Sequence, residues 1–288
     1  LLRLTKRRIV WTIHNLHSHE RVNPVRDRLI GISVAWAANR LVVHTECAVE
    51  AVSRRFLVSP TKVTVIPHGN YAAWYPNKIG RSEARSILSL SAKSTVFLFL
   101  GSIRPYKGVV SLIEAFRKAE SPSELELVIA GRPFTGTLTN RIEESARGDE
   151  RVHLHLDYVA DEDIQLYMTA CDAVVFPYRE SLSSGAVVLA MTFGRACIAP
   201  DLPPMRETLS EAGGIFYAAG DCGGLERALV TAALSRRRLD RMGQFNVRRA
   251  MEWDWRRIAE ETAQVYSAGS ADDALATNRE PSSSPYSN

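Results

Sequence analysis

Residues 95–108 read Thr-Val-Phe-Leu-Phe-Leu-Gly-Ser-Ile-Arg-Pro-Tyr-Lys-Gly, an apolar run that leads into a loop bounded by two glycines. The run has the length of a strand, and its unbroken apolar character predicts burial on both faces. An amphipathic helical pattern follows at 109–118. A doubly buried strand joined by a short loop to a helix is typical of a parallel sheet covered by helices on both sides.

The same alternation of short β-branched runs and amphipathic stretches extends over most of the chain. Strands are predicted at 8–13, 41–44, 63–66, 95–100, 125–130, 152–156, 173–176, 196–199 and 214–217. Helices are predicted at 25–39, 46–57, 109–118, 138–147, 161–170, 185–193, 225–234 and 253–266, with another starting near residue 203 and helical structure from residue 236 onward. Right-handed crossovers between such units predict an α/β protein of Rossmann-like, doubly wound domains.

Composition excludes several other classes of protein. Of 288 residues, 45% are hydrophobic and 24% are charged, which is typical of a globular protein rather than a disordered, collagen-like or coiled-coil chain. No apolar run approaches the roughly 18 residues of a membrane-spanning helix. The net charge of +4 is weak and gives no reason to expect a nucleic-acid partner. Basic residues cluster at 3–8 and 236–238. We interpret these clusters as solvated surface; the alternative is a surface that attracts an anionic lipid or a polyanionic acceptor.

The cysteines give no sign of a disulfide or metal framework. They are Cys47, Cys171, Cys197 and Cys222. No two of them form a C-x-x-C pair, so we expect free thiols in a reducing compartment.

The first candidate site is the loop at 101–108. Ligands of doubly wound sheets bind outside the carboxyl ends of the strands, where this loop lies. Gly101 and Gly108 permit close approach of the backbone, and the helix that follows presents N–H groups and the positive end of its dipole. Arg104 and Lys107 add two cations, so the loop predicts a site for a diphosphate. It is neither a Walker A nor a G-x-G-x-x-G loop, and an ordinary turn with two surface cations is the alternative.

The second candidate is the loop at 177–186, Pro-Tyr-Arg-Glu-Ser-Leu-Ser-Ser-Gly-Ala, which also joins a buried strand to a helix. Ser184, Gly185 and Ala186 bring backbone N–H groups to a second helix start, so that two helix N-termini could hold one diphosphate. Glu180 could accept hydrogen bonds from sugar hydroxyls or stabilise positive charge on a sugar ring. Its alternative role is to favour the helix dipole, which contributes about 0.3–1 kcal/mol.

The third candidate is the stretch at 14–20, His-Asn-Leu-His-Ser-His-Glu. His14, His17 and His19 suggest zinc, and a zinc hydrolase remains an alternative function, although the H-E-x-x-H pattern is absent. The favoured interpretation is a polar rim with His14 facing a ligand at the end of its strand.

The order and spacing of these loops resemble the GT-B glycosyltransferases, specifically the family-4-like nucleotide-sugar enzymes, over about residues 8–266. The stretches that carry the resemblance are 12–15 (Thr-Ile-His-Asn), 65–69 (Val-Ile-Pro-His-Gly), 101–108, 129–132 (Ile-Ala-Gly-Arg), 173–178 (Ala-Val-Val-Phe-Pro-Tyr) and 184–191 (Ser-Gly-Ala-Val-Val-Leu-Ala-Met), followed by Gly194 and Asp201.

The resemblance implies two Rossmann-like domains that face each other across a cleft. Residues 1–71 would form the acceptor-side domain and residues 72–252 the domain that binds the nucleotide sugar. A crossover helix at 253–266 and a disordered tail at 267–288 complete the expected organisation. Because the chain begins with Leu1 and relatives need a further βαβ series, we expect a fragment with an incomplete N-terminal domain.

The resemblance also implies roles for individual residues. The implied catalytic residues are His14, Arg104, Lys107 and Glu180, and the implied donor-binding residues are Gly101, Ser102, Arg104, Lys107, Tyr158, Val159, Glu180, Ser184, Gly185 and Ala186. Arg104 and Lys107 would hold the diphosphate and stabilise the departing nucleotide. Tyr158 and Val159 fall where relatives contact the base, and His14 faces the acceptor side.

One position departs from the family pattern. Glu180 resembles the first Glu of the family's E-x7-E element, whose second Glu normally contacts the ribose. In this chain, Val188 or Leu189 takes that second position, and both are apolar. Either the ribose is recognised by other groups or the label does not apply here.

The expected function is transfer of a hexose from a nucleotide-diphosphate sugar to a hydroxyl of a glycan, glycolipid or small polyol, in polysaccharide biosynthesis. We expect a metal-independent reaction with no cofactor other than the sugar-nucleotide co-substrate. A cytoplasmic location is expected, and contact with the inner face of the membrane stays open. A catalytically weak nucleotide-sugar-binding protein is the main alternative. The sugar, the base, the acceptor and the stereochemical outcome stay open.

Overall fold

The structure is a computed structural model that describes residues 8–16 and 23–267. Several features of the sequence lie outside these residues: the basic residues Arg3, Lys6 and Arg7, the histidines His17 and His19, and the tail from residue 268 onward. Among the described residues, no helix is both long and apolar enough to cross a bilayer.

The first part of the chain forms a three-stranded parallel sheet with strand order β1-β2-β3. Its elements are β1 (Val10–Thr12), α1 (Pro24–Ala37), β2 (Arg40–Val43), α2 (Cys47–Phe56) and β3 (Val63–Val65). Alternate residues of the central strand, Leu41 and Val43, are fully buried and share a core with Phe56 of α2.

The second part forms a six-stranded, wholly parallel sheet. Its strands are β4 (Thr95–Leu100), β5 (Leu125–Ala130), β6 (Val152–His155), β7 (Ala173–Val175), β8 (Ala196–Pro200) and β9 (Gly214–Tyr217). Its helices are α3 (Arg81–Ile87), α4 (Val109–Lys118), α5 (Gly136–Ala146), α6 (Ile164–Ala170), α7 (Gly185–Thr192), α8 (Pro203–Gly213), α9 (Cys222–Ala233) and α10 (Arg236–Met251). Every residue of β4 is buried, as the apolar run predicted.

The strand order of this sheet is β6-β5-β4-β7-β8-β9. Counted along the sheet's own strands this is 3-2-1-4-5-6, the order of the dinucleotide-binding Rossmann fold. The direction of winding reverses between β4 and β7. The loops that follow these two strands therefore border the crevice where ligands of such sheets bind.

The α/β prediction is confirmed, and the predicted strands differ from the observed ones by a few residues at their ends. One helix of the second part, α3 (Arg81–Ile87), was not predicted, because seven residues of mixed polarity carry no clear period. It is held by Arg85, a buried residue whose guanidinium contacts Asp172 at 2.7 Å.

The segment at 66–80 connects the two sheets and is bound to the end of α10. Asn70 is buried there: its backbone N–H donates to the Trp253 carbonyl at 3.0 Å, and its side-chain amide donates to the Ala250 carbonyl at 3.2 Å. The indole N–H of Trp255 donates to the Asn70 carbonyl at 2.6 Å. These bonds fix the connection against the start of the last helix.

That helix, α11 (Trp255–Ser267), returns to the first sheet. Its buried residue Ile258 packs with Val42 of β2 and with Ile66 in a small separate core. Ser267, expected in the tail, is the last residue of this helix. The exact limits of the two domains stay a prediction.

Candidate functional site

A cavity of about 360 Å³ lies at the crevice, between the loops of the two sheets. It is lined by residues 14–16, His68, Tyr106, Lys107, Tyr178 and residues 180–186. The loop after β1, the connecting segment and the loops after β4 and β7 therefore meet at one place. Of the predicted catalytic residues, His14, Lys107 and Glu180 line this cavity.

Lys107 is the cation at the centre of this arrangement. It ends a single turn of 3-10 helix at Pro105–Lys107. Its Nζ lies 5.5 Å from the centroid of the Tyr178 ring and 3.7 Å from the point where a Cβ on Gly101 would stand. Burial, aided by the charge of Arg104, lowers the pKa of Lys107 to about 8. An anion beside this amine would restore its preference for the charged form.

Gly108 permits the close contact between the two loops of the crevice. Its φ of 68° lies in the left-handed region, and a Cβ there would stand 2.1 Å from the carbonyl oxygen of Pro177. The backbone N–H of Arg179 also donates to the Tyr106 carbonyl at 3.0 Å. Only glycine fits the backbone at this contact, which keeps Lys107 beside the loop after β7.

Arg104 lies at the rim, outside the lining of this cavity. Its guanidinium stacks on Phe134 at 4.5 Å from the ring centroid, on the side of the loop after β5. Ser102 lies in the same loop and is exposed. Gly101, next to it, is partly buried. The structure therefore brings Lys107 to the cavity and holds Arg104 next to it.

The N-terminus of α7 faces the cavity with Ser184, Gly185 and Ala186. Ser184 is the N-cap residue, and its side chain accepts a hydrogen bond from the backbone N–H of Val187 at 3.4 Å. A Cβ on Gly185 would stand 2.8 Å from the Tyr71 hydroxyl and 3.1 Å from His68 Nε2. The rings of the connecting segment thus close over the start of this helix, and a side chain at position 185 would displace the Tyr71 hydroxyl.

Glu180 is exposed on the cavity wall. Its charge contributes to raising the pKa of the nearby Tyr106 hydroxyl, after burial, and Arg104 acts in the opposite sense. The position that matches the family's second Glu does not face the cavity as an exposed polar residue would. Val188 and Leu189 are 3% and 9% exposed, and Leu189 belongs to the core of the second sheet. Neither position brings a polar group to a ribose.

Tyr158 and Val159 follow β6, away from this cavity. Tyr158 is 74% exposed, and Val159 packs partly against the core. The proximity of Tyr158 contributes to the raised pKa of Tyr75, whose first cause is burial. Their contact with a nucleotide base stays a prediction.

Two histidines that the sequence analysis did not assign lie beside His14. His44 Nδ1 is 2.9 Å from the Ile66 carbonyl oxygen, and His44 Nε2 is 3.2 Å from His14 Nδ1. The rings of His44 and His68 are 5.8 Å apart, centroid to centroid. Burial lowers the pKa of both His44 and His68.

A pattern in the sequence could have identified these histidines. Each follows the end of one strand of the first sheet: His14 after β1, His44 after β2 and His68 after β3. The carboxyl ends of parallel strands meet at one edge of the sheet. Within residues 8–16 and 23–267, no group of three His, Cys, Asp or Glu residues is arranged to hold a metal ion.

The sequence comparisons point to one family. Residues 94–234, which include all of the second sheet, match the family of glycosyl transferases group 1. A GDP-mannose:glycolipid 4-beta-D-mannosyltransferase of Xanthomonas campestris pv. campestris is 28% identical over 271 residues, covering 87% of this chain and 70% of the relative. A D-inositol 3-phosphate glycosyltransferase of Kineococcus radiotolerans is 27% identical over 303 residues, covering 93% of this chain and 68% of the relative.

Solved structures agree on the fold. HepE of Anabaena, in complex with UDP and glucose, superposes with a TM-score of 0.80 at 19% identity, covering 92% of this chain and 73% of that one. Sucrose-phosphate synthase of Thermosynechococcus elongatus gives a TM-score of 0.75 at 22% identity, covering 90% and 67%. Residues 94–234 therefore belong to the family of glycosyl transferases group 1, and the chain with its two Rossmann-like sheets has the GT-B fold.

Proposed function

We propose that this glycosyltransferase moves a hexose from a nucleotide-diphosphate sugar to an acceptor hydroxyl, with the donor diphosphate between Lys107 and the N-terminus of α7. One observation carries the proposal: a half-buried lysine and a helix N-terminus face the same cavity. The amine supplies a point charge, and the N–H groups of Gly185 and Ala186 supply hydrogen-bond donors. Both are the groups that a diphosphate requires.

The same groups fit the chemistry of the leaving group. As the bond between the anomeric carbon and the diphosphate breaks, negative charge grows on the departing oxygen. Donors fixed in advance at that position stabilise the transition state more than the ground state. Lys107, with Arg104 at the rim and the N–H groups of α7, supplies positive charge there, so we propose that the reaction needs no divalent cation.

Two further groups complete the proposed site. Glu180, on the cavity wall, is suited to accept hydrogen bonds from the hydroxyls of the donor sugar. His14 approaches from the other sheet and is suited to the acceptor hydroxyl. The name of the Xanthomonas relative describes GDP-mannose and a glycolipid, so GDP-mannose with a lipid-linked or alkyl glycoside acceptor is our first choice of substrates.

Binding and turnover test this proposal separately. Calorimetry with GDP and with UDP measures the dissociation constant, and release of GDP from GDP-mannose or of UDP from UDP-glucose measures turnover. Octyl glucoside serves as a soluble glycolipid mimic. We expect Lys107→Ala to weaken nucleotide binding by about 10–100-fold, because hydrogen bonds to charged groups are worth about 1.5–3 kcal/mol. Arg104→Ala should lower turnover sharply as well.

Lys118→Ala is the matched control, since Lys118 is an exposed lysine at the far end of α4. It should leave binding and turnover unchanged. Turnover should also persist in EDTA. Normal binding and transfer in both Lys107→Ala and Arg104→Ala would refute the assignment.

A nucleotide-sugar-binding protein with weak catalysis is the second candidate. It is favoured by Val188 and Leu189, which are apolar and buried and so supply no carboxylate at the second position of the E-x7-E element. GDP binding at micromolar concentration, with no transfer to any acceptor in a glycolipid extract, would support this candidate over the first.

A further inference from the structure

The contact between His14 and His44 fixes where the protons lie on both rings. His44 Nδ1 is 2.9 Å from the carbonyl oxygen of Ile66. A carbonyl oxygen only accepts hydrogen bonds, so His44 Nδ1 must carry the proton and donate. In the neutral ring, Nε2 of His44 then carries a lone pair and can only accept.

The proton on His14 follows from the same rule. His14 Nδ1 lies 3.2 Å from His44 Nε2. Because His44 Nε2 accepts, His14 Nδ1 must carry the hydrogen and donate it. The lone pair of neutral His14 is then on Nε2, and His14 lines the cavity between the two sheets.

We propose that His44 is a positioning residue, which holds His14 in the Nδ1–H form so that its Nε2 takes the proton of the acceptor hydroxyl. This inference rests on the proposed function, because it assigns a part in that transfer. In the step, the hydroxyl oxygen forms a bond to the anomeric carbon. The bond from that carbon to the diphosphate oxygen breaks, and its electron pair leaves with the nucleotide. The hydroxyl proton passes to His14 Nε2.

The surroundings of His44 suit this role. The groups facing its ring are the Ile66 carbonyl, His14 and His68. Burial, together with the two neighbouring histidines, lowers the pKa of His44, although the Ile66 carbonyl opposes this. His44 therefore stays neutral at neutral pH and keeps the lone pair that accepts from His14. An imidazole that must act as a base needs a partner of this kind on its other nitrogen.

The tautomer can be observed directly, without any substrate. Long-range ¹H–¹⁵N spectra of the whole chain labelled with ¹⁵N-histidine distinguish Nδ1–H from Nε2–H rings, and His14→Gln identifies the His14 signals. We expect both His14 and His44 to be Nδ1–H tautomers, the form that a histidine ring in water favours less than the Nε2–H form. A wild-type spectrum with His14 as the Nε2–H tautomer would overturn the inference.

Two substitutions of His44 separate its two hydrogen bonds. The amide nitrogen of Asn can take the place of the imidazole Nδ1 and keep the bond to Ile66, but Asn leaves nothing at Nε2. The side-chain oxygen of Gln can take the place of Nε2 and still accept from His14. We therefore expect His44→Asn to release His14 to the Nε2–H form and His44→Gln to retain the Nδ1–H form.

Rates with GDP-mannose and octyl glucoside give the functional readout. A general base contributes about 10²–10⁴-fold, so we expect His44→Asn to lower kcat at least about tenfold with little change in the KM for GDP-mannose. His44→Gln should recover much of that loss. In a chain that already carries His14→Ala, adding His44→Asn should lower kcat no further, because a positioning residue acts only through its partner. His153→Asn, on β6, is the control histidine and should leave kcat unchanged.

The outcomes distinguish this inference from the proposed function. If the wild-type chain neither binds GDP nor turns over GDP-mannose, the proposed function fails while the tautomer spectra still test the His14–His44 pair. If the wild type is active and His44→Asn keeps full kcat, or if the two substitutions are additive, His44 does not position His14.

Discussion

The carboxylate of Glu207 accepts hydrogen bonds from the backbone N–H groups of Glu46, at 2.6 Å, and Cys47, at 2.9 Å. Glu207 belongs to α8 of the second sheet, whereas Cys47 begins α2 of the first. The first N–H groups of a helix have no partner within the helix, and a carboxylate there also favours the helix dipole. Glu207 thus joins the two halves of the chain next to the cleft.

Glu207→Ala removes this cap. By analogy with other helix caps, we expect a loss of about 1 kcal/mol in the free energy of unfolding, measured by urea denaturation. Glu211→Ala is the control, because Glu211 lies on the same helix, is exposed and makes a surface ion pair with Arg206. The control should change stability by less than about 0.5 kcal/mol. If the two substitutions lower the free energy of unfolding equally, the contact of Glu207 with Cys47 contributes nothing measurable to stability.

The pKa of about 8 for Lys107 predicts that nucleotide affinity depends on pH. A diphosphate favours the charged amine, which is present below that pKa and lost above it. Between pH 7 and 9 the charged fraction in the unliganded protein falls from about nine tenths to about one tenth, so GDP affinity should fall about tenfold. Calorimetry at constant ionic strength measures this change.

Lys107→Arg is the matched variant, because the guanidinium stays charged over this pH range. Its GDP affinity should be nearly constant from pH 7 to 9. The interpretation fails if the wild type shows the same constancy as this variant.

Gly108→Ala tests the contact between the loops after β4 and β7. A methyl group at φ 68° would also meet the Pro177 carbonyl oxygen, so we expect a loss of at least about 1–3 kcal/mol in stability together with weaker GDP binding. Gly136→Ala is the control at the start of α5, where a Cβ would meet nothing within 4 Å. It should be neutral or stabilise by up to about 1 kcal/mol. Thermal unfolding with and without GDP compares the stability and the GDP binding of the two variants.

Asp172→Asn tests the buried ion pair that holds α3. The Asp172 carboxylate accepts from Arg85 and from the backbone N–H of Val96, both at 2.7 Å, and it also pairs with Arg81. The substitution leaves the buried guanidinium of Arg85 without its counter-charge. Breaking such a pair costs about 3–5 kcal/mol.

Urea denaturation measures this loss. Asp240→Asn, at an exposed position on α10, is the control and should change stability by less than about 0.5 kcal/mol. A small effect at Asp172 would mean that the neutral amide still satisfies both Arg85 and Val96.

The sequence was most informative about the donor side of the site. The loops at 101–108 and 177–186 each follow a doubly buried strand and precede a helix, and these are local patterns. They predicted that Lys107 and the N-terminus of α7 would face one ligand, and the structure brings them to one cavity. It was less informative about α3, which is short and is held by the distant Asp172 rather than by its own periodicity.

The acceptor side was harder to predict. His14 was identified from its position after β1, but its partner His44 is 30 residues away and is one of several scattered histidines in the sequence. The two meet because β1 and β2 are neighbouring parallel strands, paired Val10 with Arg40, so that both histidines leave the same edge of the sheet. Residue types alone do not specify that pairing.

The α/β class, the positions of the strands and of the helices other than α3, and the glycine-bounded loops follow from the sequence, since burial and backbone conformation leave local periodic patterns. Only the three-dimensional structure revealed the strand order and the return of α11 to the first sheet. It also revealed the contact of Lys107 with Tyr178 and the proton arrangement of His14 and His44. These features depend on contacts between residues far apart in the chain, whose distances and side-chain directions are fixed only when the sheets are assembled.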